Sequence, residues 1–195
     1  IASMGADNLI VMAGTASSGG VSFGSGSSQT LTPEDANAIV RECPSVRAVA
    51  PVVRSRAQIV YGNRNWVPVF IYGTTPEFLE VRSWTEMAEG EPFTEQDVRS
   101  ANTVCVLGQT LVRELFQGQS PIGQEVRVRS VPFTVIGVLE PKGRSPQGSD
   151  QDDTVFVPIT TAQRSLFGSP IPDTVGAILV QARDQTLLAQ AEKEI

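Results

Sequence analysis

Between Val104 and Pro158 the chain alternates short apolar runs with one amphipathic stretch and places glycine or proline at most of the joins. Val104 to Leu107 has the length of a buried strand and is stopped by Gly108. Leu111, Val112, Leu115 and Phe116 then fall at i, i+1, i+4 and i+5, one apolar face of a helix over Gln109 to Phe116 that Gly118 closes. Glu125 to Arg129 alternates charged residues with valine, as a half-exposed strand does, and Pro132 to Leu139 is expected as the second arm of its hairpin. The loop Pro141 to Asp153 is polar and long. Thr154 to Ile159 returns as a strand, and Thr160 is expected to cap a helix through Leu166.

The same punctuation organises the flanks. Asn8 to Met12 reads as a short strand that runs into Gly14 to Gln29, a Gly/Ser/Ala/Thr stretch whose composition predicts a mobile loop. Thr32 supplies an N-cap, Pro33 the favoured first helical position, and Glu34 and Asp35 an acidic first turn for a helix to about Glu42. Pro44 ends it. Val46 to Val53 is β-rich, with Pro51 marking an edge or a bulge. Ala57 to Tyr61 and Trp66 to Tyr72 flank Gly62–Asn65, the composition of a hairpin turn. Phe78, Leu79 and Val81 lie on a short helix within Pro76 to Trp84, after which a subdomain boundary is expected. Val175 to Ala182 predicts a strand leading into a terminal helix from Asp184. Strands and short helices share one chain, without an internal repeat.

Composition narrows the function. With 195 residues and 41% hydrophobic residues the chain can fill a core, while 15 Lys and Arg against 21 Asp and Glu leave a net charge of -6. No excess cation is available to neutralise phosphates, which argues against nucleic acid and anionic membranes as partners. Apolar runs fall well short of the ~20 residues that cross a bilayer, and both ends are expected to be cut points in a longer protein. Histidine is absent, which removes the usual general base, metal ligand and pH switch and excludes Ser/His/Asp and Cys/His hydrolases.

The remaining chemistry-bearing groups read as structural. Gly24 and Gly26 lack the Lys-Ser/Thr and third glycine of nucleotide-binding loops, so a flexible connector is expected. Asp150, Asp152 and Asp153 lack the glutamate twelve positions after the first ligand of a calcium loop, and a solvated loop is expected. Trp66, Phe70 and Tyr72 alternate as packing residues of one strand. Cys43 and Cys105 have no CxxC spacing; each reads as a small buried apolar residue, with a disulfide between them as the alternative. Catalytic, metal and cofactor sites are expected to be absent, and partner-binding residues are not legible.

Val104–Gly108, Leu115-Phe116, Pro121–Gln124, Val126–Val128, Pro132–Val138 and Asp152–Pro158, in that order and spacing, resemble the periplasmic core domain of MacB-type ABC transporter permeases, within the wider FtsX-like group. Gly5–Asn8, Leu31–Asp35, Ala48–Pro51 and Gly73–Pro76 are similar to its N-terminal half. Shared residues have plain folding roles: Gly108 and Gly123 for turns, Phe116 and Ile122 as anchors of a helix on a sheet, Pro158 as a strand end.

The resemblance implies an α+β fold with a porter-like βαβ subdomain built from both chain ends, residues 1–82 and 168–195, and an inserted Sabre-like subdomain, residues 83–167. It implies a non-catalytic, cofactor-free extracytoplasmic domain of an inner or cytoplasmic membrane protein. Such a domain couples cytoplasmic ATP hydrolysis mechanically to export. Its partners would be a second permease copy, an ATP-binding subunit or domain and, in some settings, a periplasmic adaptor and an outer-membrane channel. In isolation it is expected to be monomeric or weakly associating. The alternative reading is a stand-alone extracellular binding or adhesion module that uses the aromatic hairpin near Trp66.

Overall fold

The computed structural model describes residues 2–3, 7–13, 17–18, 21–22, 31–168 and 174–195. In chain order the elements begin with β1 (Ala2–Ser3), β2 (Asn8–Met12), β3 (Ser17–Ser18), β4 (Val21–Ser22), α1 (Pro33–Glu42) and β5 (Val46–Ser55). There follow β6 (Ile59–Tyr61), β7 (Arg64–Trp66), β8 (Phe70–Thr74), α2 (Glu77–Val81), β9 (Met87–Gly90) and α3 (Glu95–Ser100). Next come β10 (Val104–Leu107), α4 (Gln109–Phe116), β11 (Glu125–Val128), β12 (Val131–Leu139) and β13 (Thr154–Pro158). The chain closes with α5 (Ile159–Thr161), a π-helical turn (Ala162–Leu166), β14 (Ala177–Ala182), a 3-10 turn (Gln185–Leu187) and α6 (Leu188–Glu194).

Two compact units divide the chain: residues 1–52 with 169–195, and residues 53–168. The first unit centres on β14, which pairs antiparallel with β2 on one side and with Val46–Val52 of β5 on the other. Within this unit β5 is an outer strand, which is where Pro51, opposite Ile178 in the register, is tolerated. Helix α1 starts where its cap residues predict. Thr32 and Asp35 close a capping box, with the Thr32 amide donating to Asp35 Oδ2 at 2.7 Å and the Asp35 amide to Thr32 Oγ1 at 3.3 Å. Ala36 and Ile39 turn inward. The far end of the chain is clasped: Glu194 accepts from the Ser45 amide and hydroxyl, both at 3.0 Å, and Arg183 Nε donates to the Pro44 carbonyl at 2.6 Å. Ser17–Ser18 and Val21–Ser22 pair antiparallel; the rest of the loop expected over Gly14 to Gln29, Gly24 and Gly26 included, lies outside the described residues.

The second unit is a mixed sheet in the order β8-β13-β10-β12-β11-β6-β7, with β9 also paired to β12 and Val53–Ser55 paired to β8. The β8–β13 and β10–β12 pairs are parallel and the others antiparallel. Every residue of β13 is buried, the apolar run 155–158 and the polar Thr154 alike. Leu111, Val112, Leu115 and Phe116 of α4 bury the predicted face against Ile59, Val126, Phe133 and Val135. The β8–β13 pairing ties residues 70–74 into this unit.

Several local expectations change. Residues 66–72 are not one strand: β7 ends at Trp66, and β8 begins at Phe70 after a break containing Pro68. The hairpin is tighter than Gly62–Asn65, because Tyr61 already pairs with Arg64. Thr160 caps nothing; its hydroxyl donates to the Val98 carbonyl, and α5 starts after Pro158 without a side-chain cap. Gly108 has φ -77°, which any residue adopts, yet a Cβ there would lie 2.1 Å from the Asp152 carbonyl oxygen. Close approach requires that glycine, whereas Gly123, at φ +77°, is the turn glycine expected. Phe116 is buried, but Ile122 is exposed and does not anchor the helix. Both cysteines are buried free thiols, and burial pushes Cys105 up to about 12.

Candidate functional site

Two places in the second unit gather polar chemistry. The first is the aspartate loop, and it is a buried acceptor hub instead of a solvated loop. Asp152 and Asp153 are only 7% and 8% exposed. The Asp152 carboxylate accepts from the Lys142 amide at 2.7 Å and the Gly143 amide at 2.9 Å, while its carbonyl accepts from the Thr110 amide at 3.2 Å. Asp150 accepts from the Thr110 hydroxyl at 2.7 Å and from the Asp152 amide at 3.0 Å. Asp153 accepts from Trp66 Nε1 at 2.7 Å, so the hairpin aromatic is bolted to the start of β13. Burial, above all, holds the Asp153 carboxyl above the usual aspartate range, with the Asp150 charge adding to it and the Trp66 bond opposing.

Lys142 belongs to the same packing. Its ammonium donates to the Arg82 carbonyl and lies 5.3 Å from the centre of the Trp84 ring, and burial is the main influence holding its pKa below the usual lysine value. Trp84 Nε1 donates to the Glu140 carbonyl at 2.7 Å, and its ring meets Phe156 edge-on at 5.8 Å. Phe70, Tyr72, Phe78 and Phe156 continue this aromatic cluster, so Phe70 and Tyr72 are packing residues and Trp66 stands apart on another strand. Among the described residues no group of three or more His, Cys, Asp or Glu side chains has the spacing to hold a metal ion. None of the described helices is long and apolar enough to cross a membrane.

The second place is a half-open cleft of about 390 Å³ between the tip of the β6–β7 hairpin and the end of α4. Its floor is the Tyr61 ring against Phe116, with centroids 4.2 Å apart, and Tyr61 Oη reaches Gln124 Oε1 at 3.4 Å. Asn63, Arg64, Gln117, Gln119 and Ser120 complete a rim without any carboxylate. Gln117 caps α4 in the left-handed region at φ +55°, and Gly118 follows at φ +79°. Sequence reasoning missed this cleft. A visible signal was the run Gln117-Gly-Gln-Ser-Pro-Ile-Gly-Gln124, dense in side-chain amides for so short a loop.

Comparison with known proteins sets this architecture in a lineage. Residues 1–195 match the family described as MacB-like periplasmic core domain. The chain is 60% identical over 171 residues to a macrolide export ATP-binding/permease protein, MacB, of Syntrophobacter fumaroxidans, covering 88% of this chain and 24% of the relative. It is 34% identical to a pyoverdine export ATP-binding/permease protein, PvdT, of Pseudomonas aeruginosa, covering 85% of this chain and again 24% of the relative. The chain thus spans about a quarter of the length of the curated relatives it matches. The periplasmic region of MacB from Actinobacillus actinomycetemcomitans superposes with a TM-score of 0.76 at 26% identity, covering 96% of this chain and 79% of that one. The extracellular domain of the transporter YknZ from Gram-positive bacteria shares the fold, with a TM-score of 0.68 at 21% identity over 84% of this chain and 79% of its own. An α+β chain matched over its whole length, and superposing on a crystallised MacB periplasmic region, belongs to the MacB-like periplasmic core domain family.

Proposed function

We propose that this domain stands outside the membrane as part of an ABC exporter permease and transmits movement, so that ATP hydrolysed by a cytoplasmic ATP-binding part drives export. The full-length family match carries this reading. The relatives' names, which join ATP binding, permease and export, support it. So does the internal construction, in which acids and cations are engaged in holding loops to strands: Asp152 on the 142–143 backbone, Asp150 on Thr110, Arg129 on the Leu166 carbonyl at 2.7 Å. A domain that passes on displacement needs stiff elements and a contact surface more than a reactive group. We read it accordingly as non-catalytic and without a cofactor.

The subdivision into a porter-like part, residues 1–82 with 168–195, and a Sabre-like part, residues 83–167, belongs to this proposal, as do its partners. Those are a second permease copy, an ATP-binding subunit or domain, and an adaptor with an outer-membrane channel where the organism has one. The test is deletion of this domain from the full-length exporter, with ATP hydrolysis and export of a fluorescent cargo measured on the same membranes. Mechanical coupling predicts that export is lost while hydrolysis persists. Undiminished export from the deletion would overturn it. The second reading, a binding or adhesion module acting through the hairpin, predicts the opposite: the domain alone would hold its target and export would not need it.

A further inference from the structure

Going beyond the exporter reading, we propose that the cleft between the β6–β7 hairpin and the end of α4 binds a sugar ring. The lining selects by chemistry. Side-chain amides present a donor and an acceptor side by side, the arrangement that vicinal hydroxyls or an acetamido group of a hexose can satisfy, and four of them, Asn63, Gln117, Gln119 and Gln124, surround the opening. The Tyr61 ring, backed on one side by buried Phe116, offers one aromatic surface to the C–H face of a pyranose. The lining itself holds Arg64 and no carboxylate, and the one acid bonded to it, Glu89, already accepts from Ser120. Its volume of about 390 Å³ lies near the lower end of the range for small-ligand sites and suits one or two rings.

A peptide main chain fits less well. It would need a sheet edge to pair with, and β7, the outermost strand, has only three residues.

Gln117 reaches the cleft from the cap of α4. Gln117 holds a left-handed conformation that favours glycine, although the next residue is a glycine that could have served as the helix cap. Ala101 caps α3 in the same left-handed region, at φ +49°, so what is particular to Gln117 is that its amide side chain lines the cleft.

Binding is tested on the 195-residue chain by amide chemical-shift titration with two probes. An N-acetylglucosamine trimer stands for a glycan strand, and a methyl hexoside for the sugar of a glycosylated small molecule. Shifts clustered at Tyr61, Gln117 and Gln124 with either probe support the site, and the tighter probe names the source. Gln124→Ala is expected to weaken binding about tenfold. Gln117→Gly should also weaken it about tenfold while raising the melting temperature, because glycine relieves the left-handed backbone. The opposite signs separate a binding role from a structural one. Absence of clustered shifts at millimolar sugar overturns the proposal, as does a trialanine peptide shifting these residues where neither sugar does.

Discussion

Asp153 and Glu194 are both carboxylates that accept hydrogen bonds, one at the start of β13 in the second unit and the other at the end of α6 in the first, and their environments push them in opposite directions. Buried Asp153 is held above the usual aspartate range by desolvation, and one indole bond does not cancel that. Half-exposed Glu194 is held below the usual glutamate range, chiefly by the Ser45 amide. A hydrogen-bonded carboxylate therefore does not stabilise a fold by default; depth decides the sign. The same contrast runs through the two clasps. In the second unit the acids are buried with backbone that depends on them, whereas in the first unit's clasp a half-exposed Glu194 reaches in to buried Ser45.

The comparison is open to breakage at several points, the heaviest first. Gly108→Ala forces a methyl group onto the Asp152 carbonyl, and a loss of about 3 kcal/mol or more, or failure to fold, is expected in a urea melt. Asp152→Ala leaves the Lys142 and Gly143 amides without their acceptor; about 2 kcal/mol should be lost, with amide exchange accelerating over residues 142–152. Trp66→Phe removes the donor to Asp153 and is expected to cost about 1–2 kcal/mol. An unchanged melt for Asp152→Ala would show that the loop is solvated after all.

The pH dependence sharpens the contrast. Asp153 is raised in the folded state, so its contribution is fully present below the unfolded value of about 3.9 and is lost as pH rises through the higher folded value. Glu194 is lowered, so its contribution is present above the unfolded value of about 4.3 and is lost as pH falls through the lower folded value. Melts taken from about pH 3 to 7 should therefore change slope in opposite senses for Asp153→Asn and Glu194→Gln. Slopes of the same sign would remove the distinction. Ser45→Ala deletes only one of three donors to Glu194, leaving the Ser45 amide and Gln190 Nε2, and is expected to give the smallest shift of the set.

What could be read ahead of the structure was local. The Thr32/Pro33/Asp35 start of α1 and the apolar face of α4 arise from contacts within a few residues, so the sequence carried them directly. The central segment went further, because its glycines, prolines and strand patterns in fixed order were enough to point to the family. Several expectations failed where the deciding neighbour is distant. Thr160 looked like a cap because nothing near it in sequence names Val98 as its acceptor, 62 positions away. Ile122 looked like an anchor because its exposure depends on how the loop after α4 turns.

The sequence by itself determined most of the longer elements and the lineage, since caps, apolar periodicity and turn glycines act over one or two turns of chain. Strand β9 and helix α3, the latter with its own Thr94/Asp97 capping box, went unread. Only the tertiary structure decided that the aspartates are buried pins and not a solvated loop, and that Gly108 exists for the approach of Asp152. It also assembled the cleft from Tyr61 and Gln124, 63 positions apart. Burial, close approach and concavity are properties of long-range packing, and a linear pattern does not encode which distant surface arrives to create them.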